Sequence, residues 1–445
     1  MVGCLGPRHT IFNSNTGNID ANSMAVVSNS FMRKIFISYE IMRVKNIIIV
    51  NDFSDISGGG ASKVAFDVAI ALARNGYHVT FFSGTGEENA RLYKEGIKTI
   101  SLHLPDMLHD KNKLRAAWRS IWNSNAYKAI LELLDSYKPT NTIVMIHGFS
   151  KTLSSSVFSA VGRKGYKIIY ILHDYFAACP NGGFYNYQKS ENCELLPMSL
   201  KCWGCNCDVR NYPQKVYRCI RQLVVQHNLK NTPKICAYNV SELSGNLMKP
   251  YIGKWFSEYS TLYSPVDMNE GQYIDITSNN KYVFIGRLSE EKGIRNFCKV
   301  VSELSLQGVV LGEGYLMDEM KKKYSTIQFV GWADNKTKIQ KLKEAKCLIF
   351  PSKVHETFGL TIAETLSYGI PCIMPTGCGA SFLIQDGLNG FLYPMNDYNA
   401  LKDRVRQFEK LPLQKLMIST RNSFDKNQFS VVAYIEKLED IFNRM

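Results

Sequence analysis

Ile47-Ile48-Ile49-Val50-Asn51-Asp52-Phe53-Ser54-Asp55-Ile56-Ser57-Gly58-Gly59-Gly60-Ala61 joins a β-rich run, a polar turn and three glycines, and opens a helical stretch over residues 61–75. The apolar run 47–50 is strand-sized, so the order is strand, glycine loop, helix. That order predicts a βα unit of a parallel sheet. Glycines let backbone amides approach an anion closely, and a helix N-terminus adds a favourable partial charge. The run is neither a full Walker pattern nor GxGxxG, so nucleotide binding does not follow from it alone.

Outward from this unit the alternation continues. Residues 79–82, 143–146 and 168–172 read as strands, and residues 118–137 as helix. The pattern breaks over about 179–234, where cysteines, glycines and basic residues replace the apolar periods; this reads as an insertion. It resumes at 234–238 and meets a turn-rich linker, Tyr263-Ser264-Pro265-Val266-Asp267. A second series follows, with strands at 282–285, 308–311, 327–329 and 347–350 and helices around 295–304, 316–324, 336–345 and 361–368. The reading is two α/β domains of similar size, each a doubly wound parallel sheet. Residues 1–41, rich in Asn and Ser and without period, read as a disordered extension.

The 445 residues, 45% hydrophobic and 21% charged, have the composition of a globular protein of about two or three domains. No apolar run reaches the roughly 18 residues that would span a bilayer. The charge balance, 53 − 39 = +14, favours an anionic partner. A basic nucleic-acid-binding protein is the reading of another class, but the chain has no helix-turn-helix, RRM or KH signature. The 12 cysteines are mostly scattered singly, and no signal-peptide core precedes them, which points to a reducing cytoplasm.

Several constellations could carry chemistry. Gly286-Arg287-Leu288-Ser289-Glu290-Glu291-Lys292-Gly293 puts a guanidinium and an ammonium on one βα loop, where an Arg fork plus a Lys point charge suits a diphosphate. Glu356 and Glu364 lie eight residues apart; were most of that span helical, they would be up to about 12 Å apart, which suits two ends of one elongated ligand. Gly369 and Pro371 mark the helix stop. His147 and the pair His173-Asp174 follow first-domain strands on the crevice side. Cys202-x2-Cys205, with Cys179 and Cys193, has spacing that four ligands of a structural zinc could use. Lys111, Lys113, Arg115 and Arg119 interleave with Leu114, Trp118 and Trp122, and residues 209–234 hold six basic side chains and no acid. Either segment could lie on an anionic membrane surface.

Together, the glycine loop, Gly286-Arg287…Lys292-Gly293, Glu356-x7-Glu364 with Phe358-Gly359 between, and Asp386-Gly387-Leu388-Asn389-Gly390 resemble the retaining glycosyltransferases of family 4. The resemblance is dense over residues 282–393 and thinner through the first domain. It implies a GT-B fold, two Rossmann-like domains facing across a cleft. Domain bounds follow as 42–265 for the acceptor side and 266–424 for the nucleotide-sugar side, with a C-terminal helix over 425–445 returning to the first domain. It implies that Arg287 and Lys292 hold the donor diphosphate, Glu364 the ribose, and Glu356 the donor sugar, with Phe358, Gly359 and Leu360 amides along the same donor. Gly59 and Gly60 would close the cleft, and His173 would face the donor sugar and acceptor, with His147 on the acceptor side. A cysteine-bearing segment after His-Asp occurs in a subgroup of that family. Where the family has a glutamate near Gly377-Cys378-Gly379, this sequence has Phe382. The implied function is transfer of a sugar from a nucleoside diphosphate, with no required cofactor, to a lipid-linked or oligosaccharide acceptor in surface polysaccharide assembly. The implied location is the cytoplasm, peripheral on the inner face of the membrane. A GT-B nucleotide-sugar epimerase or hydrolase is the enzymatic alternative, and the absence of any Asp-x-Asp counts against the metal-dependent transferase fold.

Overall fold

The computed structural model describes residues 44–107, 109–266 and 273–445; the N-terminal stretch read as an extension lies outside the described residues. Two all-parallel sheets form the framework. The first orders its strands β3-β2-β1-β4-β5-β8-β9. Here β1 is Asn46–Phe53, β2 His78–Thr85, β3 Lys98–Ser101, β4 Thr142–Ile146, β5 Lys167–Leu172, β8 Ile235–Asn239 and β9 Glu258–Thr261, with a two-stranded hairpin, β6 (Tyr185–Asn186) and β7 (Glu191–Asn192), lying apart. The second sheet runs β12-β11-β10-β13-β14-β15, built from β10 (Lys281–Ile285), β11 (Gln307–Leu311), β12 (Gln328–Gly331), β13 (Ala345–Ile349), β14 (Cys372–Pro375) and β15 (Gly390–Tyr393).

In each sheet the first strand lies inside, with the next strand on one side and a later one on the other. Ile48 of β1 thus pairs with Thr80 of β2 and Val144 of β4, and Val283 of β10 with Val309 and Leu348. This reversal of winding leaves a crevice beyond the strands' carboxyl ends, and the loops after β1 and β10 open into it. Strands buried on both faces need continuous apolar runs, which is why Ile47, Ile48, Ile49 and Val50 are all fully buried.

The stretch 118–137, expected as one helix, is two: Lys113–Ile121 and Ser124–Leu134. Asn123 causes the break. Its side chain accepts from the Ala126 amide at 3.0 Å, while its Nδ2 donates to Thr152 O at 2.7 Å, so it caps a new helix instead of continuing the old one. Within the stretch read as an insertion, Tyr212–Asn231 forms a 20-residue helix. Apolar periodicity could not reveal it, because its buried side carries Lys215, Arg221, Gln222 and Asn228. Each finds a polar partner: Gln222 donates to Ala177 O at 3.0 Å, and Asn228 to Ser155 Oγ at 2.8 Å.

The helix Val431–Arg444 lies against the first-lobe helix Gly60–Arg74, with the Phe442 ring edge-on to Tyr77 at 5.6 Å. The chain therefore crosses between lobes twice, near residues 263–266 and again before this helix. No helix among the described residues is long and apolar enough to cross a membrane.

Candidate active site between the lobes

A cavity of about 430 Å³ lies between the two sheets' carboxyl ends. Gly59 and Gly60 from the loop after β1, His173 from the end of β5, Arg287 and Lys292 from the loop after β10, and Glu356, Phe358, Gly359 and Leu360 from the loop after β13 all line it. Nine of the positions singled out in the sequence thus converge on one space, though they span 302 residues from Gly59 to Leu360 counted inclusively.

The two lobes touch directly there. Thr357 Oγ1 donates to His173 O at 2.9 Å, and Ser241 Oγ donates to Thr357 O. A Cβ on Gly60 would come within 2.9 Å of Leu360 Cδ1, and one on Gly379 within 2.7 Å of Ser241 Oγ, so at both places a glycine lets a side chain of the opposite lobe come close. Neither Thr357 nor Ser241 stood out in the sequence, since a lone hydroxyl gives no pattern.

On the second lobe, Gly293 in the left-handed region (φ 74°) ends the short turn Glu290–Lys292, and a Cβ there would strike Pro351 O at 1.8 Å. Lys292 Nζ donates to Glu356 Oε1 at 2.6 Å, and Ser352 Oγ to the same oxygen at 2.7 Å. Arg287 is tied to buried Glu291 at 2.7 Å while its own side chain remains 65% exposed, so the guanidinium is held at one end and open to the cleft at the other. Only the last part of the span from Glu356 to Glu364 is helical: the helix Leu360–Ser367 starts at Gly359, whose φ of 102° turns the chain into it. Its first turn carries no acid, leaving the amide end favourable to an anion. Glu364, on that helix, does not line the cavity. Lys338 donates to its Oε2 at 2.8 Å, and Lys63 of the first lobe comes within 3.6 Å of its Oε1.

On the first lobe, Asp52 is buried and accepts from the amides of Lys151, Thr152 and Leu153 at 3.0, 2.8 and 3.1 Å, and from Thr152 Oγ1 at 2.8 Å. One carboxylate therefore fixes the loop after β4 to the end of β1. His147, expected on the acceptor side, is only 3% exposed and sits behind His173, its Nδ1 3.0 Å from His173 Nε2. Burial lowers the His173 pKa to about 4, and burial followed by the neighbouring His173 lowers that of His147 well below the usual value, so both rings are neutral. Asp174 accepts from the Phe176 amide at 2.9 Å, and burial raises its pKa to about 6.

The expected zinc set does not hold. Cys179, Cys193, Cys202 and Cys205 do gather, with Cys207, around one very small cavity, but Lys215 lines it too, and its Nζ donates to Cys202 Sγ at 3.3 Å. Among the described residues no three or more His, Cys, Asp or Glu side chains are arranged to hold a metal. The cation among these thiols is an ammonium. Hydrogen bonding from Cys219, and the Lys215 charge working against burial, bring the Cys202 pKa down to about 5. Burial pulls the Lys215 pKa down, yet Cys207, Cys202 and Cys219 outweigh it and the net direction is up.

Comparison with known proteins bears chiefly on the second lobe. The family model Glycosyl transferases group 1 matches residues 272–430. Over 245 residues the chain is 27% identical to the UDP-Gal:alpha-D-GlcNAc-diphosphoundecaprenol alpha-1,3-galactosyltransferase of Escherichia coli, covering 51% of this chain and 60% of that one. It is 26% identical over 140 residues to the O-antigen chain mannosyltransferase C of Escherichia coli, covering 30% of this chain and 38% of the relative. The chain thus spans less than two thirds of either relative's length. Among solved structures, sucrose-phosphate synthase from Thermosynechococcus elongatus superposes with a TM-score of 0.66 at 16% identity, over 90% of this chain and 98% of that one. Anabaena HepE in complex with UDP and glucose gives 0.62 at 14% identity, over 90% and 100%. Residues 272–430, which carry most of the cleft's charged groups, therefore match the Glycosyl transferases group 1 family in sequence, and the two lobes together have the GT-B fold.

Proposed function

We propose that this chain is a retaining glycosyltransferase that moves a sugar from a nucleoside diphosphate to a hydroxyl acceptor during surface polysaccharide assembly. The observation that carries this reading is the convergence of Arg287, Lys292, Glu356 and the Gly359 turn on one interlobe cavity large enough for a small ligand. In this reading Arg287 and Lys292 hold the donor diphosphate and stabilise the charge it gains on leaving. The amides of Phe358, Gly359 and Leu360 lie along the donor, Glu356 holds the sugar hydroxyls and Glu364 the ribose. Gly59 and Gly60 close the cleft from the first lobe. His173 faces the donor sugar and acceptor, whose hydroxyl attacks from the side the diphosphate leaves.

A lipid-linked acceptor fits the galactosyltransferase relative, whose name specifies a diphosphoundecaprenol-linked substrate. It also fits the first-lobe helix Lys113–Ile121, which leaves Leu114 and Trp118 86% and 73% exposed beside Arg115. Such a face suits the headgroup level of an anionic bilayer, and would place the enzyme peripherally on the inner face of the cytoplasmic membrane.

Incubation of pure protein with a panel of UDP-, GDP- and ADP-sugars tests the reading. Slow donor hydrolysis with one class of nucleotide is expected, and the anomeric configuration of the product with an added acceptor decides retention. No turnover and no calorimetric binding of any donor would overturn it.

A further inference from the structure

His147 and His173 meet edge to edge. Their ring planes differ by 24°, the ring centroids are 5.2 Å apart, and His147 Nδ1 lies 3.0 Å from His173 Nε2. Stacked rings with that centroid separation would not bring ring nitrogens into bonding contact. Nearly coplanar rings do, with the N–H of one aimed at the lone pair of the other. Both rings are neutral, so a single proton lies between them and each ring carries one proton in all.

Two arrangements satisfy that count. In the first, His173 Nε2–H donates to His147 Nδ1, and the proton of His147 then sits on its Nε2. That atom is buried and has no hydrogen-bond partner, so this arrangement strands an N–H in the interior. In the second, His147 Nδ1–H donates to His173 Nε2, and the atom left over on His147 is a bare lone pair. A buried donor without an acceptor is the rarer of the two situations in folded proteins. The second arrangement also fixes His173, whose Nε2 is an acceptor in use and whose proton is on Nδ1.

We infer that His147 is a positioning residue that sets the tautomer of His173, so that His173 presents Nδ1–H to the cavity as a hydrogen-bond donor. No described protein group bonds that Nδ1, and His173 itself lines the cavity. A nitrogen in this state can hold a ligand oxygen, either a sugar hydroxyl or a phosphate. It cannot take the proton of an attacking hydroxyl, because its lone pair belongs to the ring's aromatic system and the other nitrogen is already engaged. This deepens the glycosyltransferase reading and rests on it for its consequence in turnover, but the tautomer itself is a property of the protein alone.

The test follows that division. In ¹⁵N-histidine-labelled wild-type protein without ligand, His173 is expected to show a protonated Nδ1 and a bare Nε2, assigned by loss of its signals in His173→Ala. A protonated Nε2 would overturn the inference, whatever the enzyme turns over. His147→Leu, which fills the space without a donor, is expected to mix the His173 tautomers and lower kcat about 10- to 100-fold, the scale of losing an orienting partner, with less change in donor KM. His147→Asn places an amide N–H where Nδ1 sits, and should restore the wild-type His173 signals and most of kcat. If His147→Asn folds yet is as impaired as His147→Leu, or His147→Leu leaves signals and kcat unchanged, His147 only fills volume and the inference fails. A wild-type spectrum as expected, with neither turnover nor calorimetric binding of any donor, would leave the tautomer standing and sink the transferase reading.

Discussion

Lys63, on the first-lobe helix Gly60–Arg74, brings its ammonium to 3.6 Å from Glu364 Oε1 on the opposite lobe. The same ammonium lies 2.9 Å from Asp67 Oδ2 one turn along its own helix. Glu364 is therefore held from two sides, by Lys338 within its lobe and by Lys63 across the cleft. An ion pair that exists only when the lobes are near one another makes their approach sensitive to salt.

Lys63→Met is expected to raise the donor Kd about 2- to 5-fold, matching the ~0.5–1 kcal/mol of a partly exposed pair. Calorimetry at low and high ionic strength checks it. The variant should show a flatter salt dependence than wild type, and equal slopes would show that the pair does not link the lobes.

On the proposed reading, Arg287→Ala and Lys292→Ala remove charges that matter most as the diphosphate departs. Each should lower kcat, by about 10²- to 10³-fold, the scale for one preorganised donor. If Glu364 holds the ribose as proposed, Glu364→Ala removes contacts made equally before and during reaction, so its main effect should be a raised donor KM. Steady-state kinetics with the best donor of the panel separate the two. A collapse of kcat in Glu364→Ala at unchanged donor affinity would exchange the roles of the two glutamates.

Cys202→Ala should be far more damaging than a surface cysteine change, because it strips the anionic partner from buried Lys215. Breaking one side of a buried pair costs about 3–5 kcal/mol, read as a lowered urea midpoint. Lys215→Met, which removes the charge with similar bulk, should be milder. Elemental analysis of the purified protein belongs beside these, since one zinc per chain would contradict the ammonium-centred account of the cluster.

Acid should unfold the protein through the histidine pair. The folded pKa values of His147 and His173 lie below the unfolded value of 6.5, so the unfolded chain binds protons first as pH falls. Their contribution is full above about pH 6.5 and is lost as pH falls, for His173 down to about 4. Asp174 works the other way. Its folded pKa is raised to about 6 from 3.8, so its contribution declines as pH rises through that window and offsets one histidine. The difference between wild type and His147→Asn isolates the remaining one. Urea unfolding at pH 6.5, 5.5 and 4.5 should show the variant gaining on wild type as the pH falls. A constant difference would mean that His147 takes up its second proton as readily in the folded protein as in the unfolded chain.

The sequence was most legible where one residue type is required by geometry. Gly59, Gly60, Gly359 and Gly293 could be read because a positive φ or a close neighbour at each admits little else, and Arg287, Lys292 and Glu356 because their charges recur at a readable spacing beside those glycines. The strands were legible for a related reason, since parallel strands covered on both faces are continuous apolar runs. What escaped had no local signature. Asp52 looks like any turn aspartate until β4 comes alongside, and Thr357 and Ser241 matter only because two remote loops meet. The helix Tyr212–Asn231 was hidden by its own interior, where hydrogen-bonded polar side chains do the packing that apolar ones announce elsewhere. Zinc was read from cysteine spacing alone, and spacing cannot show that a lysine on a later helix enters the same space.

The helix Val431–Arg444 lies on a lobe made almost wholly from the front half of the chain. During synthesis, the helix Gly60–Arg74 and Tyr77 emerge at least 365 residues before Phe442, the side chain that will cover Tyr77. At roughly 5–20 residues per second, that wait lasts from about 20 to 70 seconds. The first lobe thus emerges with part of its outer surface uncovered, and that part is covered only after the second lobe has been made. Completion of the first lobe is in this way timed by the second, and a ribosome stalled before residue 431 would hold a first lobe with an apolar seam still open to chaperones.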